Sequence, residues 1–168
     1  TEASAPRGRG GGVTPAVTTV VLAEGAALEH FKLQEEAATV DHVARVEVRQ
    51  GRDSRYTSHS VSLGGGITRN DITSTLEGEG AECTLNGLYM AAGRQHVDFH
   101  TTIDHAEPRG TSRELYKGIL GGRARGNHAV LDAAIGCQGH HVGAARAVGQ
   151  RRLGGDDLIG PNHEAHQR

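Results

Sequence analysis

The chain has 168 residues, the length of one ordinary domain, and a formal net charge of −2. That near-neutral balance, with aromatic residues at only 3%, removes both the electrostatic footprint and the stacking platforms of a nucleic-acid binder. No apolar run approaches the ~20 residues of a membrane span.

Residues 1–14 (TEASAPRGRGGGVT) are small, glycine-rich and charged mainly by arginine, which reads as a flexible lead-in with order expected from about Pro15. They hold no hydrophobic signal core, and Cys83 and Cys137 sit in no CxxC pair. A reducing cytosol is therefore the expected compartment.

From Pro15 onward the dominant signal is alternation. Ala26–Ala38 (AALEHFKLQEEAA) is the ambiguous stretch. Its residues favour helix, yet Leu28, His30, Lys32 and Gln34 alternate with Glu29, Phe31, Leu33 and Glu35, and its flanks read as strands, so a strand is expected. Val46 and Val48 alternate with Arg45, Glu47 and Arg49, and Val61 and Leu63 with Ser60 and Ser62. Val97, Phe99 and Ile103 share one face of a strand. His96, Asp98, His100, Thr102 and Asp104 share the other. A period of two is the mark of half-buried strands. Turn chemistry separates them: Glu24-Gly25, Gln50–Asp53, Gly64–Gly66, Glu77–Gly80 and Ala92–Arg94. The turns recur about every 13 to 15 residues, a spacing open to a meander, a jelly roll or a β-helix.

Residues 127–168 differ. They are rich in His, Gly and Ala, contain no aromatic residue, and alternate only faintly. So few large apolar side chains can bury little surface, so a poorly ordered tail is expected.

The motifs SHSVSLGG (58–65), RNDI (69–72), LEGEGAEC (76–83), LNGLY (85–89), GRQHVD (93–98), SRELYKGIL (112–120) and GRARG (122–126) occur in one order. Their order and spacing resemble the SufD-type core subunits of the SufB/SufD family, from the SUF iron–sulfur cluster assembly system. AVTTVVLAEGAALEHFKLQEE also matches, less tightly, so the resemblance covers about residues 15 to 126. It implies an all-β fold, a partial right-handed parallel β-helix of short stacked strands. Stacking would supply the core that a single coil lacks, with Thr and Ser pairing in internal ladders and Gly and Asn at the corners. It also implies a scaffold role beside a SufB-type scaffold subunit and a SufC-type ATPase. The iron–sulfur cluster would be the product of the assembled complex, not a cofactor of this chain. No catalytic residue is assigned, no metal ligand is assigned, and cofactor-binding residues stay open.

Two departures from the family bear on function. After GRARG the expected strands give way to Asn127–Asp132, with faint echoes in Arg151–Asp157. A truncated or frameshifted reading frame would produce such a tail. The family's terminal segment, which carries Cys and His residues implicated in cluster assembly, has no counterpart here.

Several groups are chemically suggestive. His96, Asp98 and His100, with His105 following, are the residues a metal-dependent β-helical or cupin-like enzyme would use. Along one strand, however, His96 and His100 stand about 13 Å apart, whereas each ligand of one zinc lies about 2 Å from it. A polar, hydrogen-bonded face is the expected reading. Cys83 fits a small buried hydrophobe better than a sulfur acceptor. Asp104, His105 and Ser112 are the residue types of a hydrolytic triad, without a GxSxG elbow. Gly64–Gly66 lacks the GK[ST] of a phosphate loop and reads as a corner. Arg113–Lys117 reads as a charged strand edge or a partner contact.

Overall fold

Each strand of this chain is too short and too thinly apolar to bury a face alone, and the structure answers by stacking. The structure, a computed structural model, describes residues 2–4, 11–134 and 141–150, and the side chains of 11–130. Eleven strands appear among them: β1 (Glu2–Ser4), β2 (Gly12–Leu22), β3 (Ala27–Gln34), β4 (Val40–Gln50), β5 (Arg55–Ser62), β6 (Ile67–Leu76), β7 (Glu82–Ala91), β8 (His96–His105), β9 (Thr111–Leu120), β10 (Arg125–Ala134) and β11 (His141–Gln150). No helix occurs among the described residues.

The odd strands form one sheet, in the order β1-β3-β5-β7-β9-β11, and the even strands form another, in the order β10-β8-β6-β4-β2. Every pairing is parallel. Parallel neighbours need a long crossover. Here the crossover from one strand to its neighbour is a strand of the opposite sheet. The chain thus winds as a parallel β-solenoid with two strands per coil. The turn interval read from the sequence is half a coil. The register shows a full coil of about 26 to 30 residues, as in His42↔Thr68 and Glu2↔Lys32.

The stretch Ala27–Gln34 is a strand, as its alternation indicates, with its polar parity inward. His30, Lys32 and Gln34 are buried while Phe31 and Leu33 stand 44% and 37% exposed. Tertiary stacking overrides local helix propensity here, because β5 offers a full set of ladder partners from Arg55 to Ser62. Val97, Phe99 and Ile103 face inward as the alternation implies, joined by Thr101 and His105.

The interior is built from register ladders. Val20, Val48, Ser74 and Ile103 form one column, and Thr18, Val46, Ile72 and Thr101 the next. On the opposite sheet Tyr56, Cys83 and Ser112 stack in register. Hydroxyls are buried as expected of such a stack, but they sit over unlike neighbours: Ser62 lies between Gln34 and Tyr89. The corners are glycine-rich, with positive φ at Gly25, Gly65, Gly80, Gly93 and Gly122. The asparagines Asn70 and Asn86 lie inside strands.

Aromatic rings fill the later coils. A Cβ on Gly118 would sit 2.2 Å from Tyr89 Cζ, and one on Gly87 would sit 2.1 Å from Tyr116 Cδ1. Each glycine is the space its neighbour's ring occupies.

Strands occur on both sides of residues 15–126. β2 begins at Gly12, and Glu2–Ser4 pairs with Lys32–Gln34. The expected break after Gly126 falls within β10, which follows β8 in register through Ala134, and β11 pairs with β9. The remainder of the expected tail, including Cys137 and Arg151–Asp157, lies outside the described residues.

Candidate functional site

The outer face of the even-strand sheet carries His96, Asp98 and His100, because odd-numbered β8 residues point inward. Asp98 is its hub. Arg69 Nη1 donates to Asp98 Oδ2 at 3.2 Å, Asn127 Nδ2 donates to Oδ1 at 3.0 Å, and His100 Nε2 lies 2.9 Å from Oδ2. Arg69 also reaches Asp71 at 3.0 Å. The carboxylate is thus held by β6, β8 and β10 together. His96 lies elsewhere in register, between Ile67 and Arg125. His105 is on the opposite, inner face and is buried. Among the described residues no three His, Cys, Asp or Glu side chains gather into a metal-binding group. The arrangement is a ladder of ion pairs and hydrogen bonds between coils.

Two of the three triad-like residues do meet. His105 Nε2 lies 3.1 Å from Ser112 Oγ, both buried. Asp104, adjacent to His105 on the strand, points to the other face. The pair is closed to substrate and has no carboxylate behind it from Asp104.

Cys83 is a buried thiol at 1% exposure, stacked between Tyr56 and Ser112. It packs in the apolar cluster with Leu85, Phe99 and Tyr116. Gly64–Gly66 is a corner. A Cβ on Gly64 would lie 2.2 Å from Glu36 O, so the turn presses against the preceding coil instead of cradling a ligand. Arg113–Lys117 is split by the pleat: Arg113, Leu115 and Lys117 face out, while Glu114 and Tyr116 face in.

Inside the later coils, Thr101 Oγ1 donates to Glu114 Oε2 at 3.1 Å, and His128 Nε2 lies 3.9 Å from the same oxygen. The His128 ring stacks on Tyr116 with centroids 3.8 Å apart. Burial lowers the His128 pKa from 6.5 to about 4, with His100 adding repulsion. Burial, then the Glu114 charge, pushes the Tyr116 phenol well above its ordinary range.

The polar interior of the early coils escapes a reading of the sequence. Lys32, Glu36 and His42 are all buried. His42 Nδ1 donates to Glu36 Oε1 at 2.8 Å, Lys32 Nζ donates to Asn70 Oδ1, and Ser62 Oγ donates to Gln34 Oε1. The Tyr56 hydroxyl lies 2.8 Å from His30 Nδ1. The only sequence signal is the shared parity of His30, Lys32 and Gln34, which a half-buried strand would ordinarily turn to solvent.

A shallow concavity of about 410 Å³ lies at the corner between sheets, lined by Ala38, Gly66, Ala92, Gly93, Arg94 and Gln95.

Fold and surfaces together define a parallel β-solenoid with buried internal polar clusters. Residues 2–135 match the family described as SUF system FeS cluster assembly, SufBD core domain. The chain belongs to the SufB/SufD family. It is 30% identical over 77% of its length to the iron–sulfur cluster assembly protein SufD of Escherichia coli, covering 30% of that protein. It is 32% identical over 62% of its length to a SufBD family protein of Synechocystis, covering 23% of it. It is 34% identical over 64% of its length to the chloroplastic protein ABCI7 of Arabidopsis thaliana, covering 22% of it. The chain spans less than a third of each of these relatives.

Proposed function

We propose that this chain forms the central solenoid of a SufD-type scaffold in iron–sulfur cluster assembly, working with a homologous SufB-type subunit and a SufC-type ATPase in the cytosol. The observation that carries the reading is the family match over residues 2–135, which coincides with the stacked strands β1 to β10. The relatives named for iron–sulfur cluster assembly lend it the same direction. A scaffold role fits the placement of the candidate groups. The His105–Ser112 pair and Cys83 are sealed in the core, and Asp98 is filled by three neighbours. Nucleotide hydrolysis and sulfur handling would belong to the partners, with this chain presenting a rigid surface. The metal-enzyme alternative on the His96/Asp98/His100 face gains no support from that arrangement.

Co-expression with a SufB-type subunit and a SufC-type ATPase tests the proposal. Co-purification with either, together with acid-labile sulfide in the assembled complex, is the expected result. Failure to co-purify with both partners would remove it.

A further inference from the structure

The two lines of turns that join the sheets are electrostatically unlike. On one side Arg52 pairs with Asp53 at 3.4 Å and with Glu79 at 3.5 Å, and Arg109 reaches Glu79 at 2.9 Å. Cations and acids are interleaved from coil to coil, and with Glu24, Glu77 and Glu107 in the same turns the line is acidic overall.

On the other side the turns Ala92–Gln95 and Gly121–Ala124 stack directly. Gly121 N donates to Ala91 O at 2.9 Å, Arg123 N to Gly93 O at 2.8 Å, and Arg125 N to Gln95 O at 2.9 Å. This register sets Arg123 over Arg94, with backbones about 5 Å apart. It also sets Arg125 over His96. All three arginines are exposed. None of them forms an ion pair among the described residues. Like charges opposed across strands are destabilising, yet no carboxylate is interleaved as Glu79 is on the far side. Asp98, two residues beyond His96, is already held by Arg69, Asn127 and His100.

A second observation lies beside it. Immediately before these turns, Leu63, Met90 and Ile119 point out from successive coils and stand 39%, 45% and 50% exposed. Met90 and Ile119 are register partners. An apolar column thus runs along one flank of the turn stack and a cationic column along the other, with the concavity at Arg94 between coils.

We propose that this corner is a docking surface for a polypeptide segment of a partner protein, one that sets carboxylates against Arg94, Arg123 and Arg125 and apolar side chains against Met90 and Ile119. The apolar column separates this partner from a phosphate polymer, which would use a longer basic track and stacking aromatics. The inference goes beyond the assembly role above and does not depend on which subunits the scaffold joins.

Fluorescence anisotropy with the full chain and a short labelled peptide alternating Glu and Leu tests it. The peptide binds, and Arg94→Glu/Arg123→Glu weakens binding by about tenfold or more. Met90→Ser/Ile119→Ser weakens it several-fold, and an all-Glu peptide binds less well than the mixed one. The single variant Arg94→Glu gives the sharper readout. It relieves the stacked like charges, so its Tm rises while peptide binding falls. Binding that is absent, or indifferent to Arg94→Glu/Arg123→Glu, overturns the proposal. So does a fall in Tm that accompanies the loss of binding. Tighter, Arg94-dependent binding of single-stranded DNA or pyrophosphate would assign the corner to phosphates instead. Arg94-dependent self-association in sedimentation would assign it to a second copy.

Discussion

The early and late coils of this solenoid share one backbone geometry and fill it in different proportions. Between β3 and β6 the inner positions mix Lys32, Gln34, Glu36, His42, Asn70 and buried serines, tied by hydrogen bonds across coils, with the apolar Val46, Val48, Ile72 and Leu76. Between β7 and β9 they carry Leu85, Tyr89, Phe99 and Tyr116, whose rings contact one another at 5.3 to 5.8 Å. Parallel stacking satisfies the backbone in both regions, so it places no demand on what fills the inside. The early coils rely, beside their apolar packing, on completed polar partners, and losing one is costly. The late coils hold together by volume, with Gly87 and Gly118 cut to fit the tyrosine rings.

The largest break in this comparison belongs to the aromatic half. Phe99→Ala, at a fully buried ring touching Tyr89 and Tyr116, lowers stability by about 3–5 kcal/mol in urea unfolding. A loss below about 1 kcal/mol would show that the late coils are not packed as described.

The polar half responds to pairing. Glu36→Ala strips the buried His42 of its acceptor and costs about 1–3 kcal/mol. Replacing both, as Glu36→Leu/His42→Leu, recovers part of the loss, because the two members of this hydrogen bond are removed together. A double-mutant cycle reads the coupling, and additive losses would refute it.

A pH titration probes the junction where a polar pair intrudes on the aromatic half. The unfolded chain protonates His128 near 6.5 and the folded chain only near 4, so the unfolded state holds more protons between those values. Stability attributable to this group is full above pH 6.5 and is lost as the pH falls towards 4. His128→Phe keeps the stacking on Tyr116 and flattens that part of the curve. An unchanged slope in the variant would place the titration elsewhere.

The smallest effect is on the outer face. Asp98→Ala frees Arg69, His100 and Asn127 at the surface and costs below about 1 kcal/mol. Metal content measured after purification stays the same in both proteins. A stoichiometric metal lost in the variant would revive the enzyme reading of that face.

Much of the strand inventory is legible in the sequence. Val46 and Val48, and Val97, Phe99 and Ile103, announce β4 and β8 by parity, and the glycine turns mark where each strand stops. The polar character of the His96/Asp98/His100 face is legible too, because strand spacing alone keeps two of those histidines apart. Other features are not. Ser60 and Ser62 lie inside while Leu63 lies out, and Lys32 lies inside while Phe31 lies out. Parity identifies two faces but not which of them turns inward, and hydropathy misleads where the interior is polar. His105 and Ser112 meet across a corner, and Arg94 and Arg123 meet across a coil. Neither contact leaves a trace in local pattern.

By itself, then, the sequence determines a chain of short strands broken by glycine turns, and through its motifs the family in whose core domain residues 2–135 fall. That follows because period-two alternation and turn chemistry are local properties of the backbone. Only the tertiary structure decides that alternate strands belong to two different sheets, and that Lys32, Glu36 and His42 share a buried network. Only it interleaves Arg52, Glu79 and Arg109 along one line of corners and sets Arg123 over Arg94 on the other. Those outcomes depend on coil-to-coil register, which pairs residues about a full coil apart and which no local window of sequence contains.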